Sequence, residues 1–341
     1  MTNIANMNTW LIDTNVLIIF FVRDDVLKKT FESVRKARPR RLLLWQDGAR
    51  EGRHDDIEGI ERCRRIVENI DWDCEVYSNY QIKNLGCDPS TFYAHKWAFS
   101  IVDKCIILED DCVPSQSFYR YCAELLVRYE HDQRINRICG VCNLADYDTS
   151  YSYLFCNSGS GPGFATWRRV ADLWISDYSF LQNKEGMRLL NNKYNSSDDK
   201  KYIKTCIQHR DEGVEHWETI YSFTCYLNNQ LVIIPTKNLV KNIGLGVDST
   251  HTTSTFNQIL PSLRQITFQD SYEIEFPLKH LPYVIEDVEY DNRRKKILGK
   301  SSYTNFLYVK VLSVLWRFSH GAAKAILKKI FVKVIEKLYI R

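Results

Sequence analysis

The sequence predicts an α/β protein with a mostly parallel, Rossmann-like central sheet flanked by helices, followed by a basic amphipathic helical tail. Three observations lead there. Apolar runs of strand length alternate with longer stretches of helical periodicity over the first 145 residues. Acidic residues gather just after three of those apolar runs. The last 41 residues, from Ser301 on, change character and become basic and helical in pattern.

The elements follow in order. Asn15 to Phe21 is an apolar strand, and Val26 to Lys36 is a helix with Val26, Leu27, Phe31 and Val34 on its apolar face. Arg41 to Trp45 is a second strand, running into Gln46-Asp47-Gly48. Ile57 to Ile70 places Ile57, Ile60, Cys63, Ile66, Val67 and Ile70 on one helical face. Cys74 to Tyr77 is a short strand, Thr91 to Val102 a helix and Cys105 to Leu108 a strand. Phe118 to Tyr129 is a helix for which Ser115 or Ser117 is the expected cap, and Ile135 to Val141 is a strand. Asp146 to Phe164 reads as a Tyr-, Ser- and Gly-rich loop, and Asn191 to Lys201 as a polar surface loop. A helix at Trp217 to Asn228 and a strand at Leu231 to Pro235 complete the pattern. Strands separated by helices of this length form βαβ units, whose sheets bind ligands beyond the carboxyl ends of their strands. That rule directs attention to Arg23-Asp24, Asp47-Gly48 and Glu109-Asp110-Asp111.

Composition narrows the function. At 45 % hydrophobic and 26 % charged, the chain has the balance of a folded globular protein. Its net charge is +4, yet Ser301 to Arg341 holds eight basic residues and one acid, a net of +7 that leaves the first 300 residues at −3. A body of that sign is not expected to bind nucleic acid. The eleven cysteines form no zinc-type pairs, and their odd count argues against a complete disulfide framework, so buried thiols in a reducing compartment are expected. The first apolar stretch, Val16 to Val22, reads as a strand, and no secretory leader is expected.

The chemistry concentrates in the run Ile106 to Asp111. A buried strand there delivers three adjacent carboxylates, which repel one another unless a cation neutralises them. Oxygen donors of this kind suit Mg²⁺ or Mn²⁺. Neighbouring residues on a strand face opposite ways, so not all three can bind one ion directly. Asp111 is the expected direct metal ligand, with Glu109 and Asp110 nearer the sugar or in supporting positions. A solvated acidic turn is the plain alternative. Arg23 and Asp47, after the first two strands, are the residue types that hold a phosphate and a uracil or ribose.

Taken together, several segments resemble bacterial sugar transferases of the GT-A fold, often described as haemolytic-protein-like. They are Lys83-Asn84-Leu85-Gly86-Cys87, Ile106 to Phe118, Phe164-Ala165-Thr166-Trp167-Arg168-Arg169, Asn238-Leu239-Val240, Asn242-Ile243-Gly244 and Ser249-Thr250-His251-Thr252. The resemblance runs from about Asn15 to Thr253, and a more distant one links the acidic triplet to inverting N-glycan GlcNAc transferases. It implies a catalytic domain over residues 1–290, with a nucleotide-sugar-binding half at 10–145 and an acceptor-side half at 146–290. It implies a UDP-sugar donor, GDP remaining open, with Arg23, Asp47, Asn84, Glu109, Asp110, Trp167 and Arg168 around it. It also implies a glycan or lipid-linked acceptor, Asp111 and His251 as metal contacts, and Glu218 as general base with Glu215 as understudy. The chain departs from the family in having Gly161-Pro162-Gly163-Phe164 where a Trp-Gly-Trp run is usual, and Trp217-Glu218 where Trp-Asp is usual.

From Tyr303 the pattern is helical, with Lys310, Arg317 and Lys324 spaced by seven and an apolar stripe through Leu307, Val311, Val314 and Phe318. No uncharged run approaches the roughly 20 residues that span a bilayer. The expectation for 301–341 is a helix lying on the inner face of the cytoplasmic membrane, the alternatives being packing on the body or a homodimer contact. Two other functions are weighed: a sugar nucleotidyltransferase, against which Val16 to Asp25 lacks a glycine-rich phosphate loop, and a non-catalytic membrane module.

Overall fold

The computed structural model describes residues 11–144, 147–159, 161–194, 197–244, 257, 259–267 and 269–322. Strands β1 (Ile12–Phe20), β2 (Pro39–Gln46), β3 (Glu75–Tyr80) and β4 (Lys104–Glu109) alternate with helices α1 (Asp24–Ala37), α2 (His54–Val67) and α3 (Cys87–Ile101). Continuous apolar stretches such as Val16 to Ile18 and Leu42 to Leu44 are fully buried, as strands covered on both faces require. The eight-stranded sheet has the order β3-β2-β1-β4-β8-β6-β9-β7. Four of its seven neighbour pairs are parallel.

This order positions the site. From β1 the chain steps outward to β2 and then β3, and it next returns to the other side of β1 to form β4. Right-handed crossovers therefore place α1 and α2 on one face and α3 on the other. Packing agrees: α1 lies against α2 and against α4 (Gln116–Arg128), while α3 lies against α5 (Arg168–Ala171) and α8 (Trp217–Leu227). The reversal opens a crevice beyond the carboxyl ends of β1 and β4, the place where open α/β sheets bind ligands.

Beyond β4, β5 (Cys112–Pro114) leaves the sheet and pairs antiparallel with β10 (Val240–Asn242). The second half contributes β6 (Ile135–Cys139), β7 (Tyr153–Cys156), β8 (Phe164–Trp167) and β9 (Leu231–Pro235). β8 runs antiparallel between β4 and β6, matching Lys104 with Trp167 and Ile107 with Phe164.

Two expected loops are corrected. Asp146 to Phe164 contains β7, a buried strand whose alternation is hidden because all its residues are apolar or aromatic. The polar run Asn191 to Lys201 belongs mostly to α6 (Lys184–Lys193) and α7 (Ser197–Glu212). There, Lys193, Lys200 and Lys201 are exposed helix formers, and polarity marked the surface rather than a loop. The Phe118 helix begins earlier, at Gln116, and Ser115 stands at its N-cap without a side-chain bond. The Gln116 and Ser117 amides donate instead to Glu273, at 3.0 and 2.7 Å, a partner 157 and 156 residues away.

Nine of the eleven cysteines are buried. After α9 (Pro261–Thr267) and α10 (Val288–Ile297), the tail forms α11 (Tyr303–Arg317), which has no buried residue. Its Leu307, Val311 and Leu315 are 41, 55 and 60 % exposed. Among the described residues, no helix is long and apolar enough to cross a membrane.

Candidate active site

The crevice between β1 and β4 gathers the charged residues at the strand ends. Register matches Glu109 with Ile19, so β4 ends one residue short of where β1 ends. Arg23, in the turn after β1, donates from Nε to Asp110 at 3.4 Å and from Nη2 to Asp111 at 2.8 Å, and its Nη2 also pairs with Asp110. The Thr30 hydroxyl donates to the Asp110 carbonyl at 2.7 Å, tying the turn to α1. Asp110 and Asp111 are 5 and 8 % exposed. Burial pushes the Asp110 carboxyl up to about 6 although Arg23 opposes it. Glu109 is pushed up to about 8, by burial first and then by Asp111, Glu218 and Asp110.

The alternation expected of a strand separates these acids. Carboxylate oxygens of Glu109 and Asp111, with the Cys112 thiol, lie within 4.8 Å of one another. Asp110 is outside that group and is held by Arg23. Glu109 therefore stands beside Asp111 on the same side of the strand end. Two adjacent carboxylates are a hard-oxygen donor set and fit Mg²⁺ or Mn²⁺, with the thiol the softer third neighbour. The backbone after β10 closes around Asp111. The Ile243 amide donates to its carbonyl at 2.9 Å, and the Asn242 side-chain amide reaches its carboxylate at 3.3 Å. A Cβ on Gly244 would lie 1.9 Å from Asp111 Oδ2, so only glycine allows this approach. His251 lies outside the described residues, as does the rest of Ser249 to Thr252.

Asp47 sits just past β2 at 6 % exposure, and its carboxylate accepts four hydrogen bonds. They come from the amides of Gly48, Leu85 and Gly86, at 2.9, 2.8 and 3.1 Å, and from the Asn84 side chain at 3.1 Å. Burial raises this carboxyl against those bonds. Asn84 also donates to the Gly48 carbonyl at 2.8 Å. A Cβ on Gly48 would come within 2.5 Å of the Lys83 backbone, so glycine lets the 82–86 loop close over the strand end. Asp47 thereby fixes the loop that leads into α3.

Glu218 lies in the first turn of α8 and is exposed. The Trp217 amide donates to Asp88 of α3 at 2.8 Å, which pins the start of α8 to the start of α3. That contact carries Glu218 over the crevice, near enough to raise Glu109. Glu215 is exposed just before α8, and Asp211 and Glu212 end α7, also exposed. Behind Glu218 is a cavity of about 230 Å³ lined by Arg137, Gly159, Gly161, Pro162, Phe164, Trp217, Tyr221 and Ser222.

Two expected donor contacts are not in the crevice. Trp167 pairs with Lys104 at the opposite end of β4, is 2 % exposed, and donates from Nε1 to the Leu126 carbonyl at 3.0 Å. Arg168 follows it and pairs with Asp103 at 3.1 Å. β8 runs antiparallel to β4, so only its first residues reach the site end; Phe164 borders the cavity. Sequence reasoning missed Asn242, Asp88 and Arg137. For Arg137 a signal existed, since an arginine beside Asn136 interrupts the apolar run of the strand Ile-Asn-Arg-Ile-Cys.

The fold and site together define an α/β protein of Rossmann-like architecture with a carboxylate cluster at its topological switch point. No protein-family profile matches the chain, and no curated protein does. Among solved structures, it has a slight likeness to 4-diphosphocytidyl-2C-methyl-D-erythritol synthase from Anaerococcus prevotii, at 13 % identity and a TM-score of 0.30. That match covers 50 % of this chain and 78 % of the other. A second is to a UDP-glucose pyrophosphorylase complexed with UDP-glucose, at 9 % identity and a TM-score of 0.26, covering 47 % and 71 %. Both are too remote to assign a reaction.

Proposed function

We propose that this chain is an inverting, divalent-metal-dependent glycosyltransferase, moving a sugar from a UDP-type donor to a glycan or lipid-linked acceptor in bacterial cell-surface polysaccharide synthesis. The observation that supports it best is the convergence of Glu218 with Glu109 and Asp111 at the switch point, where Glu109 feels both neighbours. Asp111 and Glu109 would hold Mn²⁺ or Mg²⁺, which when bound neutralises the departing diphosphate. Arg23, now on Asp110 and Asp111, is placed to turn to a phosphate. The loop fixed by Asp47 and Asn84 floors the nucleoside end of the crevice. Glu218, exposed over the same crevice, takes the proton of the acceptor hydroxyl as its oxygen attacks the anomeric carbon. Glu215 is the second candidate for that role.

A donor screen with Mn²⁺, read as released nucleoside diphosphate, tests this directly. Asp111→Ala should abolish release, and Glu218→Gln should lower kcat by roughly 10²- to 10⁴-fold. Release of pyrophosphate from a sugar phosphate and a nucleoside triphosphate would instead make the protein a nucleotidyltransferase.

The tail reading extends from α11. Its exposed apolar side chains and basic residues suit the anionic cytoplasmic leaflet. Salt-sensitive cosedimentation with phosphatidylglycerol vesicles is expected. A concentration-dependent dimer without vesicle binding would replace that reading with self-association.

A further inference from the structure

Arg137 lies on β6 at 3 % exposure and lines the cavity behind Glu218. Its guanidinium stays charged at any physiological pH and offers five N–H donors in a fixed plane. Only Nη2 has a hydrogen bond to the backbone, at 3.4 Å to the Gly159 carbonyl. Nε and Nη1 are buried without a hydrogen-bond partner among the described residues. The polar side chain set against it is a thiol, that of Cys139, and no carboxylate pairs with it among the described residues. The Tyr221 ring lies 5.1 Å below the guanidinium and offsets part of its charge. A ring face cannot accept the in-plane N–H groups, so the arginine remains a buried cation with unpaired donors at the wall of a cavity.

Glu218 borders the same cavity, and a Cβ on Gly161 would stand 3.1 Å from its Oε1. On the transferase reading the cavity begins beside the acceptor hydroxyl, and at about 230 Å³ it has room for a pyranose ring. Phe164, Trp217 and Tyr221 supply the apolar walls on which sugar faces lie.

We propose that this cavity receives an acidic sugar, with the Arg137 guanidinium pairing with its carboxylate. A guanidinium recognises a carboxylate through two parallel N–H donors on one edge, as Nε and Nη2 of Arg50 do with Asp56. The substrate class is thus a uronic-acid-type or sialic-acid-type sugar, either the one transferred or the one receiving it. This rests on the transferase reading above and sharpens it.

Calorimetry on the full chain with MnCl₂ separates the two sources. UDP-glucuronate against UDP-glucose tests the donor. Methyl glucuronide against methyl glucoside, with UDP present, tests the acceptor. In one arm the acidic probe should bind roughly tenfold to a hundredfold more tightly than its neutral counterpart. In Arg137→Gln that ratio should fall to near one. A wild-type ratio near one in both arms overturns the proposal, as does a ratio that survives in the variant. The wild-type ratios decide the matter even if the variant does not fold. If UDP with Mn²⁺ fails to bind at all, the transferase reading falls, and methyl glucuronide against methyl glucoside alone still tests the cavity.

Discussion

Asp47→Ala removes one carboxylate on which four hydrogen bonds converge. Three of the donors are backbone amides, of Gly48, Leu85 and Gly86, in a segment closed tightly over the end of β2. A buried amide left without an acceptor costs about 1–3 kcal/mol. The crevice beside the loop admits water that can rehydrate part of the set, so a total of about 3 kcal/mol is expected. For a chain of 341 residues the unfolding entropy is on the order of 0.7 kcal/mol/K, which converts that loss to a fall in Tm of about 4 °C. Urea unfolding gives the free energy, and native-state hydrogen exchange gives the location. Leu85 and Gly86 amides should lose protection while those of β2 keep theirs. A variant within about 0.5 kcal/mol of wild type, or unchanged exchange at Leu85 and Gly86, would refute Asp47 as the hub of this loop.

Glu273→Ala leaves the Gln116 and Ser117 amides uncapped and should cost about 1–2 kcal/mol by denaturant unfolding. Burial pushes the Glu273 carboxyl up, but the Ser117 and Gln116 bonds outweigh it and hold it below its ordinary value. Its contribution is therefore present above the unfolded carboxylate range and lost as pH falls through the folded value, so the gap between wild type and variant should close as the solution is acidified below that range. Arg168→Ala should leave nucleotide release unchanged and stability within about 1 kcal/mol, since it removes one exposed ion pair with Asp103 at the far end of β4. A marked loss of donor binding would return Arg168 to the site.

The first half of the sheet was legible because β1, β2 and β4 are largely buried and punctuated by amphipathic helices. β1, β2 and β4 were readable as apolar runs, and the acids beyond β4 fell where the strand order reverses. What failed did so for definable reasons. β7 and β8 are four residues each, too short for periodicity to separate strand from loop. Antiparallel β8 also defeated proximity in sequence, since Trp167 and Phe164 lie three positions apart and face opposite ends of the sheet. The expected cap at Ser115 lost to Glu273 because the competing acceptor comes from a distant segment. Arg137 carries no local motif; its meaning appears only when α8 and the 159–164 segment close around it.

The placement of β8 also bears on how the chain is made. β4 and β6 are not hydrogen-bonded to each other; Phe164–Trp167 joins them. As the polypeptide emerges from the amino end, β3-β2-β1-β4 can zip together early, since each parallel partner is already present. Its β4 margin nonetheless stays unpaired, with free amides and carbonyls, until four residues made much later slide in beside it. Nascent protein is thus exposed to strand-to-strand mispairing throughout synthesis of the intervening 54 residues, from Asp110 to Gly163. The acidic side chains at the end of β4 flank that bare edge and discourage a second copy from pairing there.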